Sequence, residues 1–308
     1  MPELPDVAIY IERLNALFCG QILEQARLKS PFLLRSFEPP LSATHGQRVT
    51  GFQRIGKRVV FELSSDLFLV FHLMIAGRFH LKDKGDKLAG KASLLGLDFA
   101  EHTLVLTEAG SKRRASLHVV RGADNLSEFS RGGLEVLGSS RLEFQQALML
   151  ENRTLKRALT DPRLFSGIGN AYSDEILHAA RLSPVKLTRS LSEPEIAILH
   201  AATEEVLSAW IVRLRLEVGA GFPEKVSAFR PEMAVHGRFQ KPCPVCGTSV
   251  QRIAYAANEL NYCPTCQTNG KLLADRGLSR LLKSDWPKSL EELEEYKAAR
   301  SLPKTPSG

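Results

Sequence analysis

"CPVCGTSVQRIAYAANELNYCPTC", residues 243–266, carries the most specific local signal in this 308-residue chain. Cys243 and Cys246 form one CxxC knuckle, Cys263 and Cys266 a second, and sixteen residues separate them. Tetrahedral zinc takes four soft ligands, and a tight CxxC turn delivers two at once. The spacing predicts a closed, structural four-thiolate zinc site; reduced surface turns or a redox CxxC are the alternatives. Between the knuckles, residues 248–262 read as two short strands joined by a turn at Ala256, Ala257 and Asn258, a zinc-ribbon hairpin. Arg238, Lys241 and Arg252 give this module cations able to meet phosphate. The fifth cysteine, Cys19, stands alone on a helical stretch and reads as a small buried hydrophobe.

Outward from the ribbon, helical patterns fill the preceding hundred residues. "SRLEFQQALML" (140–150), "TLKRALTD" (154–161), "NAYSDEILHAARL" (170–182) and "SEPEIAILHAATEEVLSAWIVRLRLE" (192–217) all have helical spacing. Ser192 and Glu195 make a capping-box pattern at the start of the last. Before them, "RGADNLSEFSRGG" (121–133) is loop-like and marks a domain boundary. From residue 21 to about 120 the pattern is of strands: "RVTGFQRI", "RVVFEL", "LFLVFHLM", "GRFHL", "LGLDFA", "TLVLTE" and "ASLHVV". They predict a β-sandwich or barrel, led by one helix over "DVAIYIERLNALFCG" (6–20) with Gly20 as its stop. After Cys266 come a short helical pattern ("KLLADRGLSRLLK"), an acidic run ("LEELEEY") and a Pro/Ser end that reads as disordered.

The predicted organisation is an α+β multidomain chain. Residues 1–122 form an N-terminal β-sandwich with a leading helix and 123–140 a linker. Residues 141–235 form a helical domain, 236–267 a four-cysteine zinc finger and 268–308 an extension. With 44% hydrophobic and 24% charged residues the composition is that of a globular protein, and the formal charge of +7 suits an acidic partner such as nucleic acid. No run of 18 apolar residues is present, so no membrane span is expected. The first residues carry no basic run leading into an apolar one, so no signal peptide is expected and the cytoplasm is the expected location.

"MPELPD" opens the chain. Removal of Met1 would leave Pro2 with a free secondary amine. An α-amino group titrates near pH ~8 against ~10.4 for lysine, so roughly a tenth is unprotonated near neutrality. Pro2 would then be a nucleophile needing little further activation.

Four stretches in this order resemble the formamidopyrimidine-DNA glycosylase / endonuclease VIII family of base-excision repair enzymes. They are "PELPDV" (2–7), "GKRVVFEL" (56–63), "FSGIGNAYSDEIL" (165–177) and the paired knuckles preceded by "VHGR" (235–238). The resemblance covers most of residues 2–267. It implies an N-terminal β-sandwich, a helix–two-turn–helix domain and a zinc finger. It also implies excision of a damaged, oxidised base, then strand cleavage by β- or β,δ-elimination. The implied partner is damaged double-stranded DNA, with single-stranded DNA as the alternative; the implied form is a monomer, nucleoid-associated in a bacterial-type cytoplasm.

The resemblance also assigns roles. Pro2 would attack the anomeric carbon and displace the base through a covalent imine. Glu3 would act as general acid and base, and Lys57 would reach the DNA at the lesion. Asn170, Lys156 and Asn258 fall at DNA-contact positions, and Arg252 is the ribbon cation that would make up for the charge Asn258 lacks. Met74 or Ile75 would be the wedge filling the gap in the stack; two core residues at a strand end is the plainer reading. Asp6 and Glu175 fall at supporting carboxylate positions. Three departures stand out. "TEAGSKRRASL" (107–117) is basic but has no aromatic where the family reads the opposite base. Asn258 stands where the family's hairpin has arginine. "GAGFPEKVSAFRPEM" (219–233) is shorter than the family's lesion-capping segment. A non-catalytic or AP-lyase-only damaged-DNA-binding protein on the same scaffold is the alternative function. A small-molecule enzyme using an N-terminal proline as base is a more distant one.

Overall fold

The computed structural model describes residues 1–110, 112–224, 226–227, 229–255, 258–274, 287–293 and 295. Its chain divides into two compact units. The first comprises residues 1–143, 161–169 and 207–228, and the second 144–160, 170–206 and 229–308.

The first unit is a two-sheet sandwich with a helix on its core. Helix α1 (Leu4–Phe18) is followed by β1 (Ile22–Leu23), β2 (Gln25–Leu28), β3 (Gln47–Ile55), β4 (Arg58–Leu63), β5 (Leu67–His72), β6 (Gly77–Asp83), β7 (Ser93–Asp98), β8 (His102–Glu108) and β9 (Ser116–Arg121). One sheet has the order β1-β3-β4-β5-β9, the other β2-β7-β8-β6, and every pairing is antiparallel. Alternation sorts each strand's faces. Val59, Phe61 and Leu63 of β4 and Leu67, Leu69 and Phe71 of β5 join the main core, where they meet Phe79, Leu95, Leu97, Leu104 and Leu106 of the second sheet. Val7, Tyr10, Leu14 and Phe18 of α1 complete that core. Their spacing places them on one helix face. The other face of β4 and β5 carries Val60, Phe68 and Val70, which pack with Leu126. Leu126 belongs to a 3-10 helix, Ala123–Phe129, within the segment expected as a linker.

All seven strands read from the sequence are present. The short β1 and β2 are additional, and each forms an edge of one sheet. The first helix starts at Leu4, ahead of the predicted Asp6, with Glu3 as its N-cap and a proline in its first turn. Cys19 corrects the expectation of burial: it is exposed at the C-cap of α1, where the helix has already turned to extended backbone.

The second unit holds most of α2 (Arg141–Met149), then α3 (Leu155–Thr160), α4 (Asn170–Ala179), the start of α5 (Glu193–Val218), β10 (Gln251–Tyr255), β11 (Asn258–Tyr262) and α6 (Pro264–Thr268). Glu195 accepts a hydrogen bond from the Ser192 amide at 2.9 Å, as the capping pattern predicts. Along α5, Ile196, Leu199, Thr203, Leu207, Trp210 and Leu214 are buried at spacings of three or four. The hairpin β10–β11 pairs Gln251 with Tyr262 and Tyr255 with Asn258. Its turn residues Ala256 and Ala257, and the side chains of Tyr255 and Asn258, lie outside the described residues, as does most of the predicted helix over residues 271–283. In the described part of the extension, Lys271 bridges to Ser289 and the Leu272 amide donates to Lys288 at 2.9 Å. The acidic run is described only in part, and the Pro/Ser end lies outside.

Candidate functional site

In the first unit the chain start, the β3–β4 turn and the loop before α4 meet. Pro2, Glu3 and Asp6 are buried, Glu3 to 2% exposure. The Glu3 amide donates to Asp6 Oδ2 at 2.9 Å, which fixes the first turn of α1. Glu3 Oε2 accepts from the Gly169 amide at 2.8 Å, and the Leu4 amide donates to the Gly167 carbonyl at 2.9 Å. Gly167 has φ +81°, and a Cβ there would also press on Leu4 and Arg54. A Cβ on Gly169 would overlap both the Glu3 carboxylate and Lys57 Nζ. Only a glycine backbone lets these two opposite charges close over it. Lys57 itself sits in the two-residue turn between β3 and β4, behind Gly56 at φ +61°. Glycine with positive φ at the first turn position is what a type II′ hairpin requires.

Arg54 ties the two loops together. Its Nη1 donates to the Gly56 carbonyl at 2.6 Å and to Ser166 Oγ at 3.3 Å. Its Nη2 pairs with Glu135, whose carboxylate also accepts from the Ser166 hydroxyl. The turn that carries Lys57 and the loop that carries Gly169 are thus braced by one guanidinium. Sequence reading missed Arg54; its place three residues before Lys57 on a hairpin was the available signal.

The chain-terminal amine, at Met1, is held below its ordinary value, chiefly by burial. Glu3 and Asp6 oppose the shift, and Arg78 and Lys57 add to it. Arg78, also missed, lies on β6 with its guanidinium donating to the carbonyls of Val226 (2.5 Å), Gly77 (2.6 Å) and Ile75 (3.1 Å). His72, at the end of β5, is pushed down to about 4 by burial and by the nearby Arg58 and Lys57, and so is neutral near pH 7.

Between β5 and β6 the chain turns sharply at 73–77. Leu73 is buried and belongs to the core, whereas Ile75 is 63% exposed and Met74 half-buried with φ +53°. Gly77 closes the turn by donating to the Leu73 carbonyl at 2.8 Å; a Cβ there would collide with the Leu73 backbone. An exposed isoleucine beside a non-glycine residue in the left-handed region is costly, and such strain concentrates at functional positions. In the β8–β9 loop, the buried Glu108 carboxylate accepts from the amides of Arg114 (2.9 and 3.0 Å) and Ala115 (3.1 Å). Lys112, Arg113 and Arg114 are thereby displayed on the surface.

In the second unit a cleft of about 520 Å³ is lined by Lys156, Arg157, Asn170 and Glu259, among others. Asn170 opens α4. Lys156 Nζ donates to the Asn170 carbonyl at 2.6 Å and to Asp174 Oδ1 at 2.5 Å. The other Asp174 oxygen accepts from His236 Nδ1 (2.8 Å) and from the Asn261 amide (3.1 Å) and Nδ2 (3.3 Å). Glu175 accepts from the amides of Ala234 (2.7 Å), Val235 and His236 (both 2.9 Å). Burial pushes its carboxyl upward against those three donors. Two adjacent acids inside an otherwise apolar helical stretch were the sequence signal for this network. Arg252 lies over the Phe239 ring at 4.6 Å and pairs with Glu259 at 3.5 Å. The Asn258 side chain is outside the described residues.

The four knuckle sulfurs of Cys243, Cys246, Cys263 and Cys266 lie within 4.8 Å of one another. Cys243 and Cys266 are 3.9 Å apart and Cys246 and Cys263 3.4 Å. Zn–S bonds of ~2.3 Å in a tetrahedron put sulfurs about 3.8 Å apart, so the cluster fits one structural zinc. His178 Nε2 stands 3.2 Å from Cys243 Sγ and adds a polar neighbour outside the four ligands. No helix among the described residues is long and apolar enough to cross a membrane.

Comparison with known proteins gives three family matches along the chain. Residues 1–116 match the formamidopyrimidine-DNA glycosylase N-terminal domain, 139–216 its H2TH domain, and 240–269 the zinc finger found in FPG and IleRS. The formamidopyrimidine-DNA glycosylase of Thermus thermophilus is 34% identical over 286 residues, covering 88% of this chain and all of that protein. An uncharacterized formamidopyrimidine-DNA glycosylase-like protein of Mycobacterium tuberculosis is 46% identical over 129 residues, 42% of this chain and 80% of its own length. Among solved structures, Lactococcus lactis Fpg in complex with abasic-site DNA has a TM-score of 0.76 at 26% identity, covering 86% of this chain and 99% of that one. The same protein with Fapy-dG-containing DNA gives 0.77 at 27% identity, covering 86% and 100%.

Proposed function

The chain belongs to the formamidopyrimidine-DNA glycosylase family of DNA-repair enzymes, and on that premise we propose that it is a bifunctional DNA glycosylase and AP lyase acting on oxidised bases. The observation that carries the reading is the convergence of the Glu3 carboxylate and the Lys57 ammonium on the Gly169 backbone, close to the half-buried amine of Met1. Removal of Met1 would move the terminus one residue inward, to the ring nitrogen of the buried Pro2. Its lone pair attacks the anomeric carbon while Glu3 protonates the opening sugar oxygen; the C–N bond to the base breaks, and the base departs carrying the proton that the amine gives up. The product is an iminium ion, which acidifies the adjacent 2′ carbon. Loss of a 2′ proton then expels the 3′ phosphate by β-elimination, and a second elimination can expel the 5′ phosphate. Lys57 offers its charge to the sugar-phosphate at the lesion.

Asn170, the N-terminus of α4 and the cleft holding Lys156 bind backbone phosphate flanking the lesion. Arg252 and Asn258 extend that contact from the ribbon. A target base must leave the stack, at a cost of a few kcal/mol in a duplex. Met74 and Ile75, presented on the β5–β6 turn, fill the gap it leaves. Asp6 holds the Glu3 backbone and Glu175 anchors residues 234–236. The zinc holds the ribbon's fold and takes no part in the chemistry. The setting is bacterial-type cytoplasmic, nucleoid-associated DNA, and the protein works as a monomer.

Borohydride trapping tests the reading. The protein with Pro2 exposed should form a covalent adduct with a duplex carrying an abasic site, and material retaining Met1 should not. A duplex panel with 8-oxoguanine, formamidopyrimidine, thymine glycol and uracil reads lesion choice. Binding without any adduct would instead establish a non-catalytic damaged-DNA binder.

A further inference from the structure

We propose that the cation which the second-unit cleft offers to DNA is Arg157, and that Lys156 is a positioning residue for Asn170. The proposal rests on the reading of Asn170 as a phosphate contact. The Lys156 side chain is only 10% exposed and that of Asp174 is fully buried. Two of the three ammonium protons are engaged, one by Asp174 Oδ1 at 2.5 Å and one by the Asn170 carbonyl at 2.6 Å. Reaching for a phosphate would strip a buried carboxylate of its cation, which is strongly disfavoured. The charges of Lys156 and Asp174 also cancel locally, so the pair adds little to the field in the cleft.

What Lys156 does control is the first residue of α4. Its grip on the Asn170 carbonyl sets where the Asn170 side chain and the following amides stand. Asp174 in turn is held by His236 and Asn261, so the lysine is anchored from behind. Arg157 is the next residue along α3, lines the same cleft and is exposed. A guanidinium so placed meets a phosphate oxygen without leaving a buried partner behind.

Salt dependence separates the two roles, because each phosphate-bound cation contributes about −0.9 to the slope of log K against log salt. The experiment measures binding of the zinc-loaded, full-length protein to a duplex with a reduced, uncleavable abasic site, from about 50 to 200 mM KCl. Arg157→Gln should make the slope shallower by about 0.9. Lys156→Met should weaken binding by about tenfold or more through misplacement of Asn170, with the slope unchanged. The double variant Lys156→Met/Asp174→Asn removes the orphaned charge and should recover much of the loss, while Lys156→Arg should bind nearly as the natural protein does. A slope change in Lys156→Met, an unchanged slope in Arg157→Gln, or no recovery in the double variant overturns the proposal. Failure of the unaltered protein to bind the duplex at all would instead overturn the functional reading beneath it.

Discussion

The chain-terminal amine lies among charges that pull its proton affinity in opposite directions. Burial is the largest influence and lowers its pKa from 8.0; Glu3 raises it and Arg78 lowers it. A lowered pKa leaves more of the amine unprotonated at a given pH, so in protein that keeps Met1 the reactivity of the Met1 amine should reach half-maximum below pH 8.0. Removing the Arg78 charge (Arg78→Gln) should move that midpoint up, and removing the Glu3 charge (Glu3→Gln) should move it down. The rate of labelling by a small carbonyl reagent, followed against pH, reads the midpoint without relying on catalysis. Shifts of the same sign in both variants would contradict the arrangement. Gly169 belongs to this balance, because a methyl group there would part the carboxylate from the lysine.

At the scale of elements, the β5–β6 turn holds an apolar residue in water and a methionine in the left-handed region. Ile75→Ala should therefore change unfolding stability by less than about 0.5 kcal/mol, yet weaken binding to lesion duplex more than to single strand, where no gap must be filled. Equal losses on both substrates would remove the wedge role. The sequence "HLMIAG" could be placed at a strand end, but whether Met74 and Ile75 faced the core was open, since strand alternation stops where a turn begins. Strands β3 to β9 were legible because each alternates or is continuously apolar between turn residues. The two-residue β1 and four-residue β2 were not, since they are too short to show a period. The knuckles could be read from spacing alone, whereas the chain start took its meaning from the resemblance carried by the other three stretches. Arg54 and Asp174 left only a weak local trace and Arg78 none, because the importance of all three comes from partners dozens of residues away.

At the scale of the molecule, the zinc ribbon is joined to the helical part of its unit through carboxylates. Asp174 takes donors from His236 and Asn261, and Glu175 from three amides at 234–236, all flanking the knuckles. Removing zinc with a chelator should therefore loosen more than the ribbon. Hydrogen exchange should quicken at residues 234–268 and at the start of α4, while the amides of β4 and β5 in the first unit keep their protection. Protection retained around α4 would show that the carboxylates hold without the metal. The hydrogen bond from the Gly169 amide to Glu3 has a consequence in time as well as in space, because its partners stand 166 positions apart in the chain. A ribosome that has synthesised the whole sandwich has still made an acid without its donor. This contact can form only once translation has passed residue 169, beyond the midpoint of the chain.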